Sequence, residues 1–146
     1  MTRVVATGTF DLLHPGHIHY LEESRRLGDE LVVIVARDAN VRHKPRPIVP
    51  EAQRLAVIRA LRTVDSARLG DPDDMLRPIE ELRPAIITLG CNQHFDEQRL
   101  AATLEARGCG CRIVRIGRFA GTPLCSSRAI VARVCAERCG EPTPSG

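Results

Sequence analysis

Residues 7–38 read TGTFDLLHPGHIHYLEESRRLGDELVVIVARD. The stretch opens directly behind a short β-branched run, Arg3 to Ala6, and closes on a continuous apolar run, Glu30 to Ala36. Apolar runs of strand length without polar alternation read as strands buried on both faces, the pattern of a parallel sheet. Between them, His17 to Leu27 carries apolar residues at Ile18, Leu21 and Leu27 and stops at Gly28, a residue suited to closing a helix. The order strand, helix, strand is a βαβ unit.

The same alternation continues to the end of the chain. Helices are expected over 51–61, 72–82, 96–107 and 126–138, and strands over 64–69, 85–89 and 111–116. This predicts an α/β, Rossmann-like single domain: a mostly parallel sheet of about five strands, helices on both faces, and a ligand site at the carboxyl ends of the strands. The domain is expected to occupy residues 1–139, with 140–146, GEPTPSG after Cys139, as a loose tail.

Composition narrows the function. A length of 146 residues fits one domain, and 43% apolar with 27% charged residues is ordinary for a compact globular chain. The longest wholly apolar run, Leu31 to Ala36, is far too short for a bilayer, and the N-terminus lacks a signal-peptide pattern, so a cytoplasmic protein without a membrane partner is expected. Net charge is +3 and the cations are scattered among acids, which argues against a nucleic-acid surface and leaves a small anionic substrate. Six cysteines in such a compartment read as thiols, redox-sensitive groups or metal ligands instead of a disulfide framework.

With the first strand ending near Thr7, residues Gly8 to His17 fall at the sheet edge where α/β proteins bind ligands. Gly8 and Gly16 allow close backbone approach, while His14 and His17 sit where free helix N–H groups and the helix dipole favour an anion. Imidazoles there donate hydrogen bonds to phosphate oxygens, and such a site suits a triphosphate. A metal site built on the pair lacks an evident third ligand, since His19 lies on another helix face. Lys44 and Arg46 lie in the proline-rich segment HKPRPIVP after the second strand, from which flexible cations can close over phosphates. Lys44 is the single lysine among 21 cationic side chains, which gives it weight as a point-charge phosphate binder. Ser126 and Ser127 open the last helix as cap residues and leave its other N–H groups available to phosphates. Asp11 and Asp38 are candidates for orienting the loop or a bound ion.

The decamer GTFDLLHPGH, residues 8–17, resembles the signature of the nucleotidyltransferases that share an HxGH motif. Further blocks (LGDELVVIVARD, KPRPIVPEAQR, ALRTVDSARLGD, LRPAIITLGCNQHFDE and SSRAIV) are similar to those of archaeal-type FAD synthases, so the resemblance spans roughly residues 3–135. It implies transfer of AMP from ATP to FMN with release of pyrophosphate, assisted by a divalent ion such as Mg²⁺, Mn²⁺ or Co²⁺ that travels mainly on the ATP phosphates. Together with the reading of the residues above, it makes His14, His17 and Lys44 the candidates for catalysis. The resemblance assigns Thr9, Phe10, His14, Pro15, Gly16, His17, Asn92 and either Gly121 or Thr122 to the nucleotide, to which the capping residues Ser126 and Ser127 are added from their place at the last helix, and it implies no dedicated protein ligands for the metal. A homodimer is a further expectation. Two positions depart from the family pattern: Asn92 stands where aspartate is usual, and Val131 stands where an arginine is expected, with Arg128 as the candidate to replace it.

Competing readings are a cytidylyltransferase acting on a polyol phosphate, since the shared loop reads triphosphate and not base, and a nucleotide- or flavin-binding regulatory module without turnover. A cysteine-based metal or redox protein, built on Cys109, Cys111, Cys135 and Cys139, leaves the phosphate motif without a purpose. Cys125, beside Ser126, is a further candidate for a reactive thiol.

Overall fold

The computed structural model describes residues 1–42 and 45–140. In chain order the elements are β1 (Arg3–Gly8), α1 (Pro15–Arg26), β2 (Glu30–Val35), a 3₁₀ turn (Asp38–Asn40), α2 (Glu51–Arg59), β3 (Ser66–Leu69), α3 (Arg77–Leu82), β4 (Ile86–Leu89), α4 (Glu97–Ala106), β5 (Arg112–Arg115) and α5 (Ser127–Arg138). The five strands form one sheet in the order β3-β2-β1-β4-β5, and every pairing is parallel. The chain winds outward from β1 through β2 to β3, then returns across to β4 and β5. The reversal lies between β1 and β4, and the crevice beyond their carboxyl ends is where such sheets take ligands.

Strand side chains alternate between two cores, as a period of two requires. Val4, Ala6, Leu31, Val33 and Val35 pack with Tyr20 and Leu21 of α1 and Ile58 of α2 on one face. Val5, Val32, Ile34, Ile87 and Leu89 pack with Leu76, Ile79 of α3 and Leu104 of α4 on the other. Helices on both faces leave no room for polar alternation, which is why β1 and β2 read as unbroken apolar runs.

Among the boundaries that differ from the periodicity, three have a visible local cause. β1 continues through Thr7 and Gly8, paired with Ile34 and Val35, although neither residue extends the apolar run. α1 begins at Pro15, because His14 Nδ1 accepts the Gly16 N–H at 3.0 Å and proline has no N–H to leave unpaired at the first helical position. α3 begins at Arg77 and not near 72: Asp71 Oδ1 accepts the N–H groups of Asp73 and Asp74, and Asp74 accepts that of Leu76, so the segment is spent on side-chain-closed turns. The expected domain limit at Cys139 falls one residue before the end of the described chain; residues 141–146 of the expected tail lie outside it.

Beneath the crevice a buried polar network joins α1 to β1 and β4. The Tyr20 hydroxyl accepts the Thr7 N–H at 3.1 Å and donates to the Thr88 carbonyl at 2.8 Å, while Ser24 Oγ and Thr88 Oγ1 share a 2.7 Å bond. Burial pushes the Tyr20 hydroxyl up to about 12. The phenol therefore stays neutral and keeps its proton as a fixed donor.

Candidate active site

The loop from β1 to α1 turns sharply at Phe10, whose φ of 54° is rare for a bulky residue. Burial explains how it is held: the ring is 4% exposed, stands edge-on to His17 at 5.3 Å and stacks with Tyr20 at 6.3 Å. Gly8 is required by this packing, since a Cβ there would lie 2.8 Å from the Phe10 ring. Arg54 fixes the preceding residue. Its buried guanidinium donates to the Thr9 carbonyl at 2.7 Å, the Val49 carbonyl at 2.8 Å and Asp38 Oδ1 at 2.6 Å. The Arg54 bond holds the Asp38 carboxyl below its usual range.

His14 and His17 are brought face to face, with ring centroids 3.7 Å apart and planes 24° from parallel. Nδ1 of His14 accepts from Gly16, so its neutral tautomer carries the proton on Nε2, the donor a phosphate oxygen needs. Partial burial lowers the His14 pKa and favours this neutral form. A second helix start meets the first here. Ser126 caps α5 by accepting the Ala129 N–H at 3.0 Å, Ser127 Oγ donates to the Leu12 carbonyl at 3.3 Å, and a Cβ on Gly16 would meet the Cys125 carbonyl oxygen at 2.7 Å. Two helix N-termini and two imidazoles thus converge, an arrangement with positive potential and donors for an anion of several charges.

The surrounding loops are latched by side chains that local sequence patterns do not reveal. Asp11 accepts the N–H groups of Ile48 and Val49 at 3.0 and 2.9 Å, tying the end of the proline-rich segment to the β1 loop. Gln93 accepts the Gly90 N–H and donates to the Thr7 carbonyl at 2.8 Å, joining the β4–α4 loop to β1. Arg115 donates to the carbonyls of Gly90, Gln93 and Phe95, each at 2.9 Å, and pairs with Glu97 at 2.6 Å. Arg54, Gln93 and Arg115 were not among the candidates from sequence. Their partners lie 18 to 86 residues away for the key contacts, so no local signal marks them.

Of the candidates, Thr9, Phe10, His14, Pro15, Gly16, His17, Ser126 and Ser127 gather around this point. Lys44 lies outside the described residues. Asn92 is exposed on the β4–α4 loop, with its Oδ1 3.6 Å from Cys91 Sγ. Gly121 and Thr122 are exposed in the loop before α5, where Gly121 abuts the Phe119 ring: a Cβ would approach it to 2.7 Å. Arg128 is exposed. Asp11 and Asp38 orient loops through their hydrogen bonds to Ile48, Val49, Glu51 and Arg54.

The six cysteines stand as free thiols in the described fold. Cys109 is buried with its thiol donating to the Leu104 carbonyl, Cys135 and Cys139 are exposed on α5, and among the described residues no three His, Cys, Asp or Glu side chains are gathered to hold a metal. Burial raises the Cys111 thiol pKa, and the neighbouring Cys135 raises that of Cys139.

A parallel sheet with an HxGH loop at the switch point and converging helix starts defines a nucleotidyltransferase-like protein, and the chain belongs to the cytidylyltransferase-like family, which it matches over residues 5–133. Curated relatives of the chain include FAD synthases. The one from Methanoculleus marisnigri is 63% identical over 146 residues, covering 100% of this chain and 97% of the relative. That from Methanoregula boonei is 62% identical over 136 residues (93% and 92%), and that from Archaeoglobus fulgidus 57% over 130 (89% and 95%). Among solved structures, one titled as the lipopolysaccharide core biosynthesis protein from Thermoplasma volcanium is 51% identical with a TM-score of 0.79, over 82% of this chain and 99% of that one. Among the described residues no helix is long and apolar enough to cross a membrane.

Proposed function

We propose that this protein is an FAD synthase: it transfers AMP from ATP to FMN and releases pyrophosphate. The observation that carries the reading is the stacked His14–His17 pair at the α1 start, facing the α5 start, in a chain 63% identical end to end to an FAD synthase. A phosphate oxygen of FMN attacks the α-phosphorus of ATP; that P–O bond forms as the bond to the β-phosphate bridging oxygen breaks. No side chain needs to become covalently attached. The chain's contribution is orientation and charge stabilisation.

His14 presents its Nε2 proton and His17 its imidazole to oxygens on which charge grows in the transition state. The N–H groups at the starts of α1 and α5 take the leaving phosphates. Asn92 accepts a hydrogen bond from the nucleotide without adding charge. Lys44 closes over the phosphates from the proline-rich segment. A divalent ion, Mg²⁺, Mn²⁺ or Co²⁺, enters on the ATP: the donors around His14 are imidazole and main-chain N–H groups, which suit phosphate oxygens and not a cation. The ion supplies neutralisation of triphosphate charge when bound.

We take residues 1–139 as the catalytic unit, acting in the cytoplasm. A homodimer is read on α5, which has no buried residue in the single chain; light scattering tests it directly. Incubation of the pure protein with FMN or glycerol 3-phosphate, and with ATP, CTP or GTP, separates this reading from polyol-phosphate cytidylyl transfer. FAD with ATP is the expected product, and CDP-glycerol formed in preference to FAD overturns the assignment.

A further inference from the structure

The β1–β4 ladder stops one rung short, and a side chain stands where the next rung would be. Thr2, just before β1, and Gly8, at its end, accept the N–H groups of Glu30 and Ala36 at 3.2 and 2.9 Å, so even-numbered positions serve β2. Odd-numbered positions of β1 therefore face β4. On β4, the Leu89 carbonyl is committed to β5 through the Ile116 N–H at 2.8 Å, which turns Gly90 toward β1. With Ala6 in register with Thr88, one further step would join the Gly90 N–H to the Thr7 carbonyl. Gly90 instead donates to Gln93 Oε1 at 2.9 Å, and Gln93 Nε2 donates to the Thr7 carbonyl at 2.8 Å. One carboxamide thus accepts from β4 and donates to β1. On the other side β1 stays paired with β2 through Thr7 and Gly8, so the interruption falls on the switch-point side.

We propose that Gln93 is a positioning residue: its carboxamide, spliced into the β1–β4 ladder, holds the crevice open for ATP. The inference rests on the proposed adenylyl transfer and adds what sets the spacing of the two loops that receive the nucleotide. A direct rung would satisfy the same N–H and carbonyl without ordering a long side chain, whose lost rotamer freedom opposes folding. What the carboxamide adds is separation. One edge of the gap is Gly8 and Thr9, leading into the strained Phe10 turn, and the other runs from Gly90 to Asn92. Arg115 fixes the second edge from β5 through the carbonyls of Gly90, Gln93 and Phe95, and the Tyr20 hydroxyl supports the first by accepting the Thr7 N–H at 3.1 Å. Gln93 links the two edges directly. Without its amide, Gly90 closes onto Thr7 by the ordinary rung, and Asn92 is drawn toward the phosphate loop.

Calorimetric titration reads the spacing without requiring turnover. Gln93→Leu keeps the bulk of the side chain and removes both bonds. With about nine in ten molecules then in the closed rung, apparent ATP affinity falls about 10-fold, because ATP must first reopen the crevice. Inorganic tripolyphosphate, which needs only the imidazoles and helix starts, should bind as it does to the wild type. Steady-state kinetics should show a matching rise in the KM for ATP with a smaller change in kcat. Gln93→Glu adds a pH signature. A protonated glutamic acid accepts through its carbonyl oxygen and donates through its hydroxyl, reproducing both bonds, whereas the carboxylate turns an acceptor toward the Thr7 carbonyl. Its ATP affinity relative to wild type should therefore recover as pH falls through the carboxyl titration; titrations shared with the wild type, that of His14 included, cancel in the ratio. Wild-type ATP affinity in Gln93→Leu, equal weakening of ATP and tripolyphosphate, or a Gln93→Glu ratio flat with pH would each overturn the proposal. The ratio decides by itself if Gln93→Leu does not fold. A wild type that binds ATP in a Gln93-dependent manner but makes no FAD refutes the proposed reaction and leaves the spacing role standing.

Discussion

Replacing Arg54 by methionine removes the guanidinium that joins α2 to the β1 loop while keeping the length and apolar stem of the side chain. The side chain is wholly buried and serves Thr9, Val49 and Asp38. Cutting one member from a fully buried pair costs about 3–5 kcal/mol. Here the cost is lower, because the Asp38 side chain is 37% exposed and can rehydrate. The two carbonyls belong to half-buried residues, so each loses about 1 kcal/mol, and the charge-assisted bond adds about 1–2 kcal/mol. The sum, about 3 kcal/mol, lowers the Tm of a chain this long by about 10 °C. Activity falls further than stability explains. Phe10 is held in a backbone conformation that costs about 1–3 kcal/mol, and without the Thr9 anchor the loop relaxes from it. Displacement of that loop by about 1 Å reduces turnover by about 10²-fold even in protein that remains folded. Arg54→Lys restores little, since one ammonium cannot serve three acceptors. Circular dichroism melts and FAD synthesis at 25 °C measure the two effects. An Arg54→Met protein melting within about 2 °C of wild type with unchanged turnover would refute the loop-anchoring argument.

Three further outcomes are expected. Gly16→Ala drives a methyl into the Cys125 carbonyl, a backbone atom that cannot swing aside, so the two helix starts separate and kcat falls about 10²-fold with a small change in Tm; near-normal turnover would show that the contact is dispensable. Burial lowers the His14 pKa below its unfolded value of 6.5, so the unfolded chain binds the proton more readily and stability is lost as pH falls from about 6.5 through the folded value. Protonation also removes the acceptor for the Gly16 N–H, so activity declines over the same acidic window, and His14→Asn, which can still cap α1, should retain stability but not turnover. Arg115→Ala frees the carbonyls of Gly90, Gln93 and Phe95, and its expected signature is a KM for ATP raised several-fold with a smaller change in kcat, read from steady-state kinetics at saturating FMN.

The sheet was legible because burial on both faces leaves an unmistakable trace in Leu31 to Val35 and in Val4 to Ala6. The nucleotide loop was legible for the opposite reason: glycines, proline and histidines in a row serve no core. What the chain hides locally are long-range commitments. Arg54 and Arg115 look like the other arginines of a surface until the fold brings distant carbonyls around them. The late start of α3 was hidden because Asp71 and Asp74 close turns through their side chains, while Pro72 and the acids near it also suit a helix start. Asn92 illustrates the other limit: a motif position can be found by resemblance, while its side chain in the fold is exposed and pairs with the neighbouring Cys91 thiol.

The most direct test of the central claim follows the α-phosphorus. ATP labelled at that atom is mixed with FMN, a divalent ion and either the wild-type protein or His17→Ala. The account predicts that wild type moves the label into FAD, one unlabelled pyrophosphate released for each FAD formed, and that His17→Ala does so at least 10²-fold more slowly while melting close to wild type. Label remaining in ATP with the wild type, or passing into FAD at an undiminished rate in His17→Ala, would contradict it.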